Sequence, residues 1–118
     1  KISWKAKGKI EKPVFGVGIH RNDGVHVNGP NTKFSNDIPS YIDGDGAVWY
    51  EIDKLNLLPG TYYFSVALYD YEITQPFDHH EQLYPFMVIP GSADEEYGVF
   101  YMPSRWRYEG NHGPVSSR

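Results

Sequence analysis

The 118-residue chain contains no cysteine, and no apolar run approaches the ~20 residues that a membrane-spanning helix needs. The absence of cysteine excludes a disulfide framework and any thiolate metal site, and it suits a reducing compartment without requiring one. Positive charge is scarce: 11 Lys and Arg against 15 Asp and Glu give a formal net charge of -4 and a pI near 5.7. A phosphate-binding surface normally has a basic face, so nucleic acid is not an expected partner. The cations that exist crowd the N-terminus as Lys1, Lys5, Lys7, Lys9 and Lys12. Their mostly alternate spacing fits the wet side of an edge strand, where Lys discourages unwanted pairing. Uninterrupted helical stretches are also missing, because nine Pro and twelve Gly are spread along the chain. No signal peptide is visible, but the chain starts mid-pattern at "KISWKAKG" and is expected to be a piece of a longer polypeptide.

What is abundant is aromatic. Ten Tyr, six Phe and three Trp make up 16% of the chain, and Tyr alone outnumbers Leu. These rings favour strands and also surfaces that grip amphipathic ligands. Period-two runs bounded by turn residues predict strands near Ile2–Lys7, Val14–His20, Val25–Asn28, Ala47–Asp53, Thr61–Tyr71, Tyr84–Ile89 and Gly98–Met102. Turns are expected at "RNDG" (21–24), "DGDG" (43–46) and "LLPG" (57–60). Short strands with regular turns over one domain, residues 1–118, predict an all-β antiparallel β-sandwich.

Alternation also divides each strand into faces. Phe15, Val17 and Ile19 share one face with core character, as do Tyr62, Phe64, Val66 and Leu68, and also Val48, Tyr50 and Ile52. The opposite faces carry Gly16, Gly18 and His20, then Tyr63, Ser65, Ala67 and Tyr69, then Trp49 and Glu51. A solvated strand would put Thr, Lys or Glu there. Small residues flanked by rings instead leave a trough against which a flat sugar ring could stack. Two readings remain open at this point: the glycines let a ligand approach the backbone, or they make room for a neighbouring aromatic such as Trp49.

Catalytic and metal-binding patterns were weighed and set aside. "DHHE" (78–81) offers competent ligands, but His79 and His80 are adjacent, and the segment between Pro76 and Pro85 reads as a loop. "DGDGAVWYE" echoes an EF-hand loop, yet the last position of that template falls on Lys54 where a bidentate Glu is needed. No two acids are paired for glycoside hydrolysis, and neither a Gly-x-Ser-x-Gly elbow nor a cysteine nucleophile exists. The domain is expected to be no enzyme, with no metal and no cofactor.

"PVFGVGIHRNDGVHVNGPNT", "LLPGTYYFSVALYD" and "GVFYMPSRW", in this order and spacing, resemble the C-terminal carbohydrate-binding domain of Wzt-type proteins, over roughly residues 5 to 107. These are the ATP-binding subunits of ABC transporters that export O-antigen polysaccharides. The resemblance implies an immunoglobulin-like β-sandwich, often dimeric, that recognises a modified end of a bacterial glycan and so selects finished chains for export. It further implies a parent chain that is cytoplasmic, peripheral to the inner membrane and bound to a transporter membrane subunit. A further strand or two before residue 1 and an ATPase half are then expected outside this sequence.

The candidate carbohydrate-binding residues are Trp49 and Tyr69 first, then Tyr63, with His20 and His26 as polar contacts at the rim and Trp106 last. Trp106 reads equally well as a plug for the open end of the sandwich. A reading from another class stays beside this one: a structural or protein-interaction sandwich whose exposed aromatics bury against another chain. The polar tail "EGNHGPVSSR" reads as a flexible end or as an arm that pairs with a partner's edge strand. A homodimer is the expected assembly.

Overall fold

The computed structural model describes residues 1–91 and 97–115. Among these residues the chain forms eight strands and no helix, so none is long and apolar enough to cross a membrane. The main sheet has the order β4-β3-β7-β8, from β3 (Val14–Arg21), β4 (His26–Asn28), β7 (Gly60–Tyr69) and β8 (Pro76–Val88). Two small antiparallel ladders complete the fold: β1 (Ile2–Lys5) with β6 (Asp45–Val48), and β2 (Ile10–Glu11) with β5 (Tyr41–Ile42). All pairings are antiparallel, as the all-β reading requires.

The odd-numbered face of β3 and the even-numbered face of β7 build the core, as alternation predicts. Phe15, Ile19 and Tyr62 are buried there, together with Ile42 and Leu58. The Trp4 indole of β1 meets the Phe15 ring at 5.2 Å, which joins the small β1–β6 ladder to the main sheet. Tyr62 is fully buried and its hydroxyl donates to the Leu58 carbonyl at 2.6 Å, so the phenol keeps a partner inside the core. Burial pushes the Tyr62 pKa up. Phe86 of β8 stacks on both Tyr62 and Phe64.

The hairpin between β3 and β4 turns where "RNDG" predicts it. The Gly24 N–H donates to the Arg21 carbonyl, and Gly24 has a φ of 92°, a conformation that suits glycine. Five expectations are corrected. The strand predicted at Ala47–Asp53 ends at Val48, which lies opposite Ile2 of β1. Tyr50 and Ile52 are therefore exposed rather than core. Of the "DGDG" hinge only the first half turns, at Gly44, while Asp45 and Gly46 already belong to β6.

The strand predicted at Gly98–Met102 is reduced to one bridge, Leu57 with Phe100, flanked by two backbone bonds. Its partner segment meets Pro59, which has no N–H to extend the ladder. The loop predicted between Pro76 and Pro85 is instead the first part of β8, and this also extends the strand predicted at Tyr84–Ile89 well towards the N-terminus. β8 is an edge strand, so the missing N–H groups of both prolines are tolerated there.

Candidate functional site

The even-numbered face of β3 and the odd-numbered face of β7 do form a trough, with a cavity volume of about 310 Å³. Register explains its floor. Gly16 lies opposite Ala67 and Gly18 opposite Ser65, so the smallest side chains of both strands meet in adjacent rows. Ser65 and Ala67 are nearly shielded, although no second sheet covers them, because walls rise on either side. A Cβ added at Gly16 would meet only Asn31 and Pro30, each at 3.9 Å. One added at Gly18 would meet Ser65 at 3.4 Å and the edge of the His20 ring at 3.8 Å. Neither glycine lies under Trp49, so the reading in which they accommodate that ring is not what the structure contains.

One wall comes from the segment 29–32, which runs beside β3. The Val17 N–H donates to the Pro30 carbonyl, and Asn31 bridges Gly16. Thr32 bonds Phe15 twice, through its own N–H to the Phe15 carbonyl and through its hydroxyl, which accepts from the Phe15 N–H. The Asn31 carboxamide oxygen accepts from the N–H groups of Lys33 and Phe34, which fixes the chain where it leaves this wall. The Gly-x-Asn-Thr pattern (29–32) that ends the stretch "PVFGVGIHRNDGVHVNGPNT" thus has a structural cause.

The other wall comes from β8. The Ser65 hydroxyl accepts the Gln82 N–H at 2.8 Å where the β7–β8 register shifts, between Phe64 and Val66. His79 pairs with Ala67 and so shares the trough face. Glu81 follows it along the strand, and its carboxylate meets His79 Nε2 at 2.8 Å. His80 points to the other face and pairs there with Asp78 and Tyr84.

His20 and His26 close one end as a stacked pair, ring centroids 4.5 Å apart and nearly parallel at 10°. His26 Nε2 contacts the Asn28 carbonyl at 3.0 Å, and a Cβ at Gly29 would sit 2.9 Å from the His26 ring, so a side chain there would displace the ring. His20 Nδ1 is shielded and has no hydrogen-bond partner among the described residues. Tyr69, opposite Val14, borders the far end with Ile73 of the β7–β8 turn.

Of the candidates drawn from sequence, His20, His26 and Tyr69 are brought together on this trough. Tyr63 lies on the same face, opposite His20, beyond the trough lining. Trp49 is 59% exposed beside Lys1, and Trp106 is 91% exposed in the C-terminal segment; neither borders the trough. Sequence reasoning did not select Asn31, Ile73, His79 or Glu81. Asn31 was signalled by the Gly-x-Asn-Thr pattern, and His79 and Glu81 by alternation once 78–81 is read as strand.

The lining joins a small-residue floor to three imidazoles, one carboxylate and one phenol, with Asn31 alongside. Such a set offers hydrogen bonds and ring faces but no strong net charge. No group of three or more metal-competent side chains converges among the described residues. Fold and site together define a β-sandwich with a shallow polar trough on the outer face of its main sheet. A solved structure described as the C-terminal domain of wzt shares this fold, with a TM-score of 0.69 at 20% identity, covering 87% of this chain. This chain spans 64% of that one. Residues 1–102 match the Wzt C-terminal domain family, and the chain belongs to that family. No curated protein matches the sequence.

Proposed function

We propose that this domain is a non-catalytic polysaccharide-recognition module that binds the modified end of a bacterial O-antigen-type glycan and thereby selects it for ABC-transporter export. The observation that carries this reading is the trough itself. Its volume sits at the low end of the ~300–1,000 Å³ typical of ligand clefts, which suits a short piece of glycan. Tyr69 supplies the ring against which a sugar stacks, while His20, His26 and Asn31 offer hydrogen bonds to hydroxyls. Tyr63, Trp49 and Trp106 would touch only a longer glycan that leaves the trough. The parent chain, in this reading, sits at the cytoplasmic face of the inner membrane against a transporter membrane subunit.

Titration with a panel of bacterial O-polysaccharides tests the proposal, with Gly18→Val as the control. Saturable binding to one class is expected, and Gly18→Val should weaken it by at least about tenfold, because the valine methyls would fill the floor. Its unfolding temperature should change little, since a Cβ there meets Ser65 at ordinary contact distance. Binding retained beside a large loss of stability would overturn the assignment of the trough.

A second role has its own support. Trp106 and Tyr97 are more than nine-tenths exposed, Met102 and Tyr108 largely so, and β8 leaves one edge unpaired. We assign these to homodimer formation, in which the C-terminal segment covers a partner's surface.

A further inference from the structure

The trough is chemically polarised along its length. One end is the more apolar, where Tyr69 and Ile73 stand around Ala67 over the fully buried Val14, with His79 beside Tyr69, while the other carries the His20–His26 stack. Val14 and His20 bound a stretch of about 20 Å at the usual strand rise, so different sugar positions meet different ends.

The apolar end depends on an unusual residue. Ile73 has a φ of 57°, a left-handed conformation that a β-branched side chain adopts only under constraint. Asp70 supplies that constraint. Its Oδ1 accepts the N–H groups of Thr74 at 2.8 Å and Gln75 at 3.0 Å, and its Oδ2 accepts the Thr74 hydroxyl at 2.6 Å. Its carbonyl accepts the Ile73 N–H at 3.0 Å. A turn needed only to reverse the chain would place Gly or Asn at such a position. Isoleucine stands there instead, 37% exposed and bordering the trough, so its methyl groups remain available to a ligand.

We propose that Ile73 is the specificity-determining residue of the trough, selecting a deoxyhexose by packing against its C6 methyl group, with Asp70 as the positioning residue that holds it. The proposal rests on the glycan reading above. A C6 hydroxyl brought to this end would lose water with only the Tyr69 phenol and the His79 ring, whose Nε2 Glu81 already holds, to replace it, whereas a methyl group gains contact with Ala67 and Ile73. Discrimination of about tenfold is expected, at the low end for one group in an apolar pocket because the trough is open.

NMR-monitored titration with matched methyl glycosides tests this, using 6-deoxymannose against mannose and fucose against galactose, each pair taken in the same enantiomeric series and anomeric form so that its members differ only in the C6 oxygen. The parent domain should bind the deoxy member about tenfold more tightly in at least one pair. Ile73→Asn tolerates the left-handed backbone, so it should fold as the parent does and bind both members alike. Ile73→Gly should do the same and relieves the backbone strain as well. Asp70→Ala should weaken the preference without abolishing binding. Equal affinity within every pair for the parent, or a preference that survives in both Ile73 variants, would overturn this inference and leave the glycan reading standing. No response to any of these sugars or to any bacterial polysaccharide would overturn both.

Discussion

Gly46 illustrates how a single residue is fixed by its neighbour. A Cβ there would clash with Cζ2 and Cε2 of the Trp4 indole, which also packs against Phe15. Gly46→Ala should therefore destabilise the fold by about 1–3 kcal/mol through overpacking, read as a lowered midpoint in thermal or denaturant unfolding. An unchanged midpoint would mean that Trp4 moves freely. At the trough, Tyr69→Ala should remove one ring face and weaken glycan binding by about fivefold or more. That scale is taken from base–aromatic stacking, worth ~1–3 kcal/mol per ring. Affinity within twofold of the parent would shift attention to His79 and Glu81 on the opposite wall.

Among the elements, the two turns that flank the trough share a design. Asp23, after β3, is held below the usual carboxylate range by the Arg21 guanidinium beside it. Asp70, after β7, is held low by the Gln75 backbone N–H and then by the Thr74 hydroxyl. Each carboxylate stabilises the fold above the ordinary Asp pKa of ~3.9 and loses that contribution as pH falls through its lower folded-state value. The unfolding temperature should thus decline in this acidic window, and Asp70→Asn should flatten part of the decline. An identical pH profile for that variant would contradict the role of Asp70.

The same elements show what the sequence made legible. β3 and β7 were readable because alternation, the Asp23-Gly24 turn and the Pro59-Gly60 start all agree, and this placed Gly16, Gly18, Ser65 and Ala67 on one face correctly. The part of β8 from Tyr84 onward was readable as strand, but its first part was not, since Pro76 and Pro85 look like the bounds of a loop unless the strand is known to be an edge. That hid the wall carrying His79 and Glu81. The extent of β6 was equally hidden, because a strand's length depends on the ladder with its partner β1 and not on its own Val-Trp-Tyr pattern. Ile73 could not be found from sequence, as its position in the trough depends on a backbone conformation its type disfavours.

At the scale of the whole molecule, the chain extends over 70 × 26 × 22 Å with a radius of gyration of 19.8 Å. A compact domain of this length would have a radius near ~13.5 Å. Large apolar side chains are exposed along it, Trp106 and Met102 included, and such surface suits association. Light scattering at tens of micromolar should therefore report a dimer, and a monomer alone would contradict that assignment. The central claim is that the trough is where glycan binds. Amide chemical-shift mapping during titration with the recognised O-polysaccharide tests it most directly. The account predicts perturbations concentrated at Gly16–His20, Ser65–Tyr69 and His79–Glu81; perturbations confined to Trp49, Trp106 or the Tyr84–Phe86 face would contradict it.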